Sequence, residues 1–178
     1  MKLPTIIILL LVTSGVAESY EFTAERILEV ESQLYLPPDL GLNGDAPLLG
    51  YDSDGNGVRD DIQRYLKLRY FDEVELKAVF YDYASELLNR IHVVNESRET
   101  IQNLYRESGK SHWCLIWLNN NSERDYKLEI RELSKRIFNT LARHKADRVF
   151  ESKLAGMRIS AKDPDKYYIF CENYGLSG

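Results

Sequence analysis

Apolar residues recur every three to four positions through most of this chain, and that period predicts helices. Residues 21–34 place Phe22, Ile27, Val30 and Leu34 among acids, a first helix. Residues 35–51 hold Pro37, Pro38, Gly41, Gly44 and Pro47 and read as a linker. A helix follows over 60–70, with Ile62, Tyr65, Leu66 and Arg69 along one side, and Asp72 can cap the next one. There the stripe Val79, Tyr83, Leu87, Ile91 and Val94, widened by Phe80, Ala84 and Leu88, marks a buried face. That helix can continue to Ser108, with Gly109 a natural stop.

His112 to Leu118 is a short apolar run with two tryptophans that periodicity alone does not type. A buried helical turn or helix start suits it better than a strand. Asn119 to Ser122 reads as a break, after which Ser122 or Asn121 caps a long helix with Glu123 and Asp125 in its first turn. Its inner face is Tyr126, Ile130, Leu133, Ile137 and Leu141, and it can extend, bent or broken near His144, to Leu154. The tail from Ser160 ends in Tyr167 to Cys171, a segment that Cys171 would pin to the core. No long alternating run suggests a sheet. The expected fold is all-α: one helical domain over 18–178, with four or five helices and an N-terminal Pro/Gly linker.

Between linker and second helix lies the densest chemistry of the chain, Asp52-Ser53-Asp54-Gly55-Asn56-Gly57-Val58-Arg59-Asp60-Asp61. Oxygen-bearing side chains stand at alternate positions, as a hard divalent cation requires. Calcium loops of twelve residues supply ligands from positions 1, 3, 5, 7, 9 and 12. Here those positions are Asp52, Asp54, Asn56, the Val58 carbonyl, Asp60 and Gln63, and Gly57 occupies the sharp turn at position 6. The competing reading is a solvated Asp/Gly/Asn turn. Spacing favours ligation, because carboxylates this close together would repel one another in a plain turn. Magnesium keeps several waters and suits such a loop less. Zinc would want His or Cys, and the loop has neither.

These residues resemble the DxDxDG calcium loops of EF-hands, dockerin modules and thrombospondin type 3 repeats. The resemblance implies Ca2+ as the bound ion and half an EF-hand, a loop followed by its exiting helix. Position 12 departs from the pattern: a glutamate would grip the ion with both oxygens, whereas Gln63 offers one neutral oxygen. Asp61, another carboxylate or water would then complete the shell. The whole chain is similar to small exported bacterial proteins with one DxDGNGxRDD loop. That likeness rests on Leu36-Pro37-Pro38, Gly50-Tyr51-Asp52 through Arg64-Tyr65, and Asn139-Thr140-Leu141 with Arg143.

The N-terminus agrees with export. Lys2 is a short positive region, Ile6 to Val12 an apolar core, and Gly15-Val16-Ala17 supplies small residues for signal peptidase. The run is too short for a transmembrane anchor, which needs about 20 apolar residues. A signal peptide over 1–17 and a periplasmic or secreted product are expected, with no stable membrane anchor. Cys114 and Cys171 can pair in an oxidising compartment; two separate buried thiols are the alternative.

Loss of Lys2 takes the basic residues from 23 to 22 against 28 acids, a net charge near −6. With no Lys/Arg block, that argues against nucleic acid as a partner. Catalytic motifs are absent: no GxSxG, HExxH, P-loop or dinucleotide fingerprint occurs. His92, His112 and His144 are scattered. Glu86, Glu129 and Glu132 could supply an acid pair for glycoside cleavage, but helix carboxylates are usually solvated. Tyr65, Tyr70, Phe71, Phe80, Tyr81 and Tyr83 follow the loop as an aromatic cluster. Packing between helices explains them better than a surface for sugars or a protein. The expected function is an exported calcium-binding module, its calcium structural, with an envelope or extracellular protein or glycan as partner. The alternative is a calcium-dependent secreted hydrolase using helix carboxylates.

Overall fold

The longest apolar stripe in the sequence becomes the centre of the molecule. In the computed structural model, which describes residues 23–45, 47–158 and 163–176, that stripe lies on α3 (Val74–His92). Val79, Tyr83, Leu87 and Ile91 are buried, as are Phe80, Ala84 and Leu88. Four helices pack on α3: α2 (Asp60–Arg69), α5 (Lys110–Asn121), α6 (Tyr126–Ile137) and α7 (Leu141–Leu154). The other helices are α1 (Ala24–Gln33), α4 (Arg98–Glu107) and α8 (Tyr168–Glu172). Truncating a fully buried ring such as Phe80 to alanine costs about 3–5 kcal/mol at sites of this kind.

The all-α class therefore holds, with no strand among the described residues, but four or five helices is too few; eight are described. Two expected long helices are each divided. The first ends at His92, because Lys153 of α7 donates to the carbonyls of Val94 and Glu96, both at 2.6 Å, and holds the turn. Ser97 then caps α4, its Oγ accepting from the Thr100 amide at 3.1 Å. The second division follows Ile137, and Thr140 Oγ1 caps α7 by accepting from the Arg143 amide at 3.2 Å.

Smaller corrections have local causes. Asp72 does not cap α3; its carboxylate takes the Arg26 guanidinium at 3.0 Å. Asn119 to Asn121 is no break but the last turn of α5, and Asp125 is the cap of α6, accepting from the Leu128 amide at 3.2 Å. Residues 112–118 lie within α5, as the helical reading had it. The signal peptide expected over 1–17 lies outside the described residues.

The stretch read as a linker is packed into the fold. It contains a 3-10 turn at Gly41–Asp45, and Leu36 is buried with Val30 of α1 and Leu68 of α2. Lys67 Nζ donates to the Tyr35 carbonyl at 2.7 Å, fixing the chain beside α2. At the other end of the sequence, a Cys114–Cys171 disulfide joins α5 to α8 and closes 57 residues of chain. On the chain-entropy account, such a link stabilises the fold by about 4 kcal/mol.

The aromatic cluster is mostly core. Tyr70 stacks on Phe80 with ring centroids 4.6 Å apart, and Tyr65 and Tyr83 are buried beside them.

Candidate metal centre

The loop at 52–63 is shaped by its own side chains. Asp52 accepts the amides of Asn56 at 3.1 Å and Gly57 at 2.8 Å, one on each carboxylate oxygen. Asn56 Oδ1 accepts the Val58 amide at 2.8 Å, and its Nδ2 donates to Asp54 Oδ2 at 3.0 Å. Gly57 has φ of +84°, a conformation that side chains rarely tolerate, and this is what turns the chain at position 6. The ends of the loop meet where the Asp60 amide donates to the Tyr51 carbonyl at 2.8 Å.

Two loop-facing residues come from the first turn of α2. Asp60 Oδ1 accepts both the amide of Ser53 at 3.0 Å and its hydroxyl at 3.1 Å. Gln63 Nε2 donates to Asp54 Oδ2 at 2.9 Å, and this bond holds the Asp54 carboxyl below its ordinary value. Asp60 and Gln63 are only 2 % and 3 % exposed, and each keeps one oxygen, Oδ2 and Oε1, buried without a hydrogen-bond partner. Leaving such a group unsatisfied costs about 1–3 kcal/mol, and more for a charged one. Both side chains are tied to the loop by their other polar atom.

The carboxylates alone do not make a site. Among the described residues, no three His, Cys, Asp or Glu side chains stand together in metal-holding positions. A hard-cation set here would need neutral oxygens as well, from Asn56, Gln63 and the Val58 carbonyl, alongside Asp52, Asp54 and Asp60. Asp61 is turned elsewhere: both its oxygens take the Arg59 guanidinium, at 2.8 and 2.7 Å.

Two buried arginines frame the loop, and ligand spacing gave no sign of them. Arg59 donates to the carbonyls of Ile137 at 2.9 Å and Arg136 at 3.0 Å, at the end of α6. Its side chain runs against Gly50, whose φ of +77° and lack of Cβ leave it room. Arg143 of α7 is fully buried and donates to the carbonyls of Leu48 and Pro47, both at 3.0 Å, and to the Asp45 carboxylate at 3.1 Å. Asn139 Nδ2 reaches the same carboxylate at 2.6 Å. Residues that carried the likeness to exported bacterial proteins thus act as struts for the approach to the loop.

The acids considered for an acid pair have different surroundings. Glu129 is buried and accepts from Tyr70 Oη at 2.6 Å and from Arg124 and Arg69. Glu132 is bound to Lys135 at 2.8 Å on the surface. Glu86 lines a cavity beside α5. No helix among the described residues is long and apolar enough to cross a membrane. No protein-family model, curated protein or solved structure matches this chain.

Proposed function

We propose that this chain is an exported calcium-binding protein whose ion is structural, and whose helical body serves as a binding or interaction module. The observation that carries the reading is the pair of buried, unpartnered oxygens, Asp60 Oδ2 and Gln63 Oε1, on two side chains hydrogen-bonded to the loop. Asp52, Asp54, Asn56, Asp60, Gln63 and the Val58 carbonyl would hold the ion. Calcium would relieve those orphan oxygens and offset the mutual repulsion of three carboxylates. It would also tie the loop to α2, adding to the bonds that Asp60 and Gln63 already make with Ser53 and Asp54. The Cys114–Cys171 disulfide supports the exported setting, because such bonds persist in oxidising compartments.

With Gln63 at position 12, an affinity in the extracellular class of about 10⁻⁴ to 10⁻³ M is expected. The test is calorimetric titration of the protein with calcium chloride, with melting curves in calcium and in chelator. Binding of one ion with a raised melting temperature supports the reading. No heat and no melting shift at about 10 mM calcium, ten times the weakest of these affinities, overturns it.

A further inference from the structure

A cavity of about 900 Å³ lies between α3, α4, α5 and α7. That is at the upper end of the range for small-molecule sites, about 300–1,000 Å³. Five rings stand in its walls, Tyr83, Tyr105, His112, Trp113 and Phe150, among polar and charged side chains. His112 stacks on Tyr83 with centroids 5.6 Å apart and meets the Trp113 ring edge-on at 5.7 Å. Burial, and then the charge of Arg90, push the His112 imidazole below its usual range, so at neutral pH it adds an uncharged face.

The charged groups of the cavity are not equivalent. Arg90 is already matched, by Asp147 at 3.2 Å and Glu151 at 4.0 Å, and its guanidinium lies 5.5 Å over the Phe150 ring. Arg106, Glu107 and Arg158 are exposed. Glu86 is half-buried, and burial pushes its carboxyl up, opposed only in part by the amides of Gly109 and Ser111 at the start of α5. Among the described residues, no basic side chain is ion-paired with it. The cavity therefore combines aromatic faces with a half-buried carboxylate that no basic side chain among the described residues pairs with.

We propose that this cavity binds a small organic cation, a protonated amine on an aromatic or apolar body. The ammonium meets Glu86 among these rings, and the body lies against Trp113 and Tyr105. A cation over an electron-rich ring is attracted by the ring quadrupole, and the attraction grows where water is excluded. The carboxylate supplies the charge complementarity that an apolar cavity alone would lack. This site uses none of the loop's oxygen ligands; Gly57 alone lines the cavity from that side. It stands or falls separately from the calcium reading.

The experiment is a charge series of one shape: 2-phenylethylamine, neutral 2-phenylethanol and anionic 3-phenylpropionate, titrated calorimetrically into the whole protein in calcium and in chelator. The amine is expected to bind about tenfold more tightly than the alcohol, a difference of ~1.4 kcal/mol, with the acid weakest. Glu86→Gln should bring the amine to the affinity of the alcohol, and Trp113→Leu should weaken both. Equal affinity of amine and alcohol, tightest binding of the acid, or no binding by any of the three overturns the proposal. If Glu86→Gln does not fold, the charge series on the unaltered protein decides alone.

Discussion

Gln63 Nε2 donates to Asp54 Oδ2 at 2.9 Å, joining the first turn of α2 to the tip of the loop across nine residues, and it does so with its own Oε1 buried and unpartnered. A glutamate in its place would set a second negative charge against Asp54. The amide instead joins loop and helix through a neutral group. Under the proposed calcium reading, its remaining neutral oxygen would be the ligand at position 12.

Asp60→Asn should change sign with calcium. In chelator the substitution removes a buried charge lacking a full set of partners, and stability should stay level or rise. In calcium the wild type gains about 1.4 kcal/mol at ten times Kd, or roughly 3–6 °C for a chain of this size, and the variant should lose most of that gain. Melting curves of both proteins in both buffers check this. A loss of equal size with and without calcium would show that Asp60 only braces Ser53.

Arg143→Met should be among the most damaging single changes. It leaves the Leu48 and Pro47 carbonyls without this donor and leaves the Asp45 carboxylate, one-third exposed, to Asn139. Removing one partner of a fully buried pair costs about 3–5 kcal/mol, and the exposure of Asp45 makes that an upper bound here. Arg64→Ala, which breaks a part-exposed contact with Glu31, should cost about 0–1 kcal/mol. Urea unfolding of the two variants measures the contrast. Arg143→Lys should recover little, since one ammonium cannot reproduce the guanidinium fork.

Reduction of Cys114–Cys171 should destabilise the protein by about 4 kcal/mol, by the same amount in calcium and in chelator, because the bond joins α5 to α8 and not the loop. Unfolding with and without reductant in both buffers tests it. A count of two free thiols on native, unreduced protein would remove the bridge altogether.

His112 should make the fold acid-sensitive. Its pKa is held below the ordinary value of about 6.5 in the folded state, so the unfolded chain binds the proton more readily. The stability that goes with neutral His112 is present above that value and is lost as pH falls through the lower, folded-state pKa. The charged neighbours are Arg90, which deepens the shift, and Glu86 across the same cavity. Urea unfolding at pH 5 and 7.5 should show a smaller difference for His112→Gln than for wild type. An unchanged difference would assign the acid sensitivity to other groups.

Most of the fold's helical character was legible, because burial on one face of a helix leaves a repeat of three to four residues in the sequence. The Val79–Ile91 stripe of α3 and the Tyr126–Ile137 face of α6 were readable for that reason. The limits of α2 were legible too, but three other helix boundaries were not, since they depend on donors from distant chain. Lys153 fixes the turn after α3, Arg59 receives the end of α6, and Arg26 takes Asp72 away from its capping role. The short spacing of Asp52, Asp54, Asn56 and Asp60 could be read as a loop, because every hydrogen bond inside it spans nine residues or fewer.

By itself, then, the sequence determined what local geometry controls: the helical period, the turn at Gly57 and the alternation of oxygen donors. Only the tertiary structure decided what needs chain segments far apart to meet. It paired Cys114 with Cys171, turned Asp61 onto Arg59, buried one oxygen each of Asp60 and Gln63, and enclosed Glu86 among the rings of α3, α4 and α5. The physical reason is that hydrophobic periodicity records which face of a helix is buried but not which helix covers it. Desolvation, and with it the chemistry of a buried carboxylate, depends on that second fact.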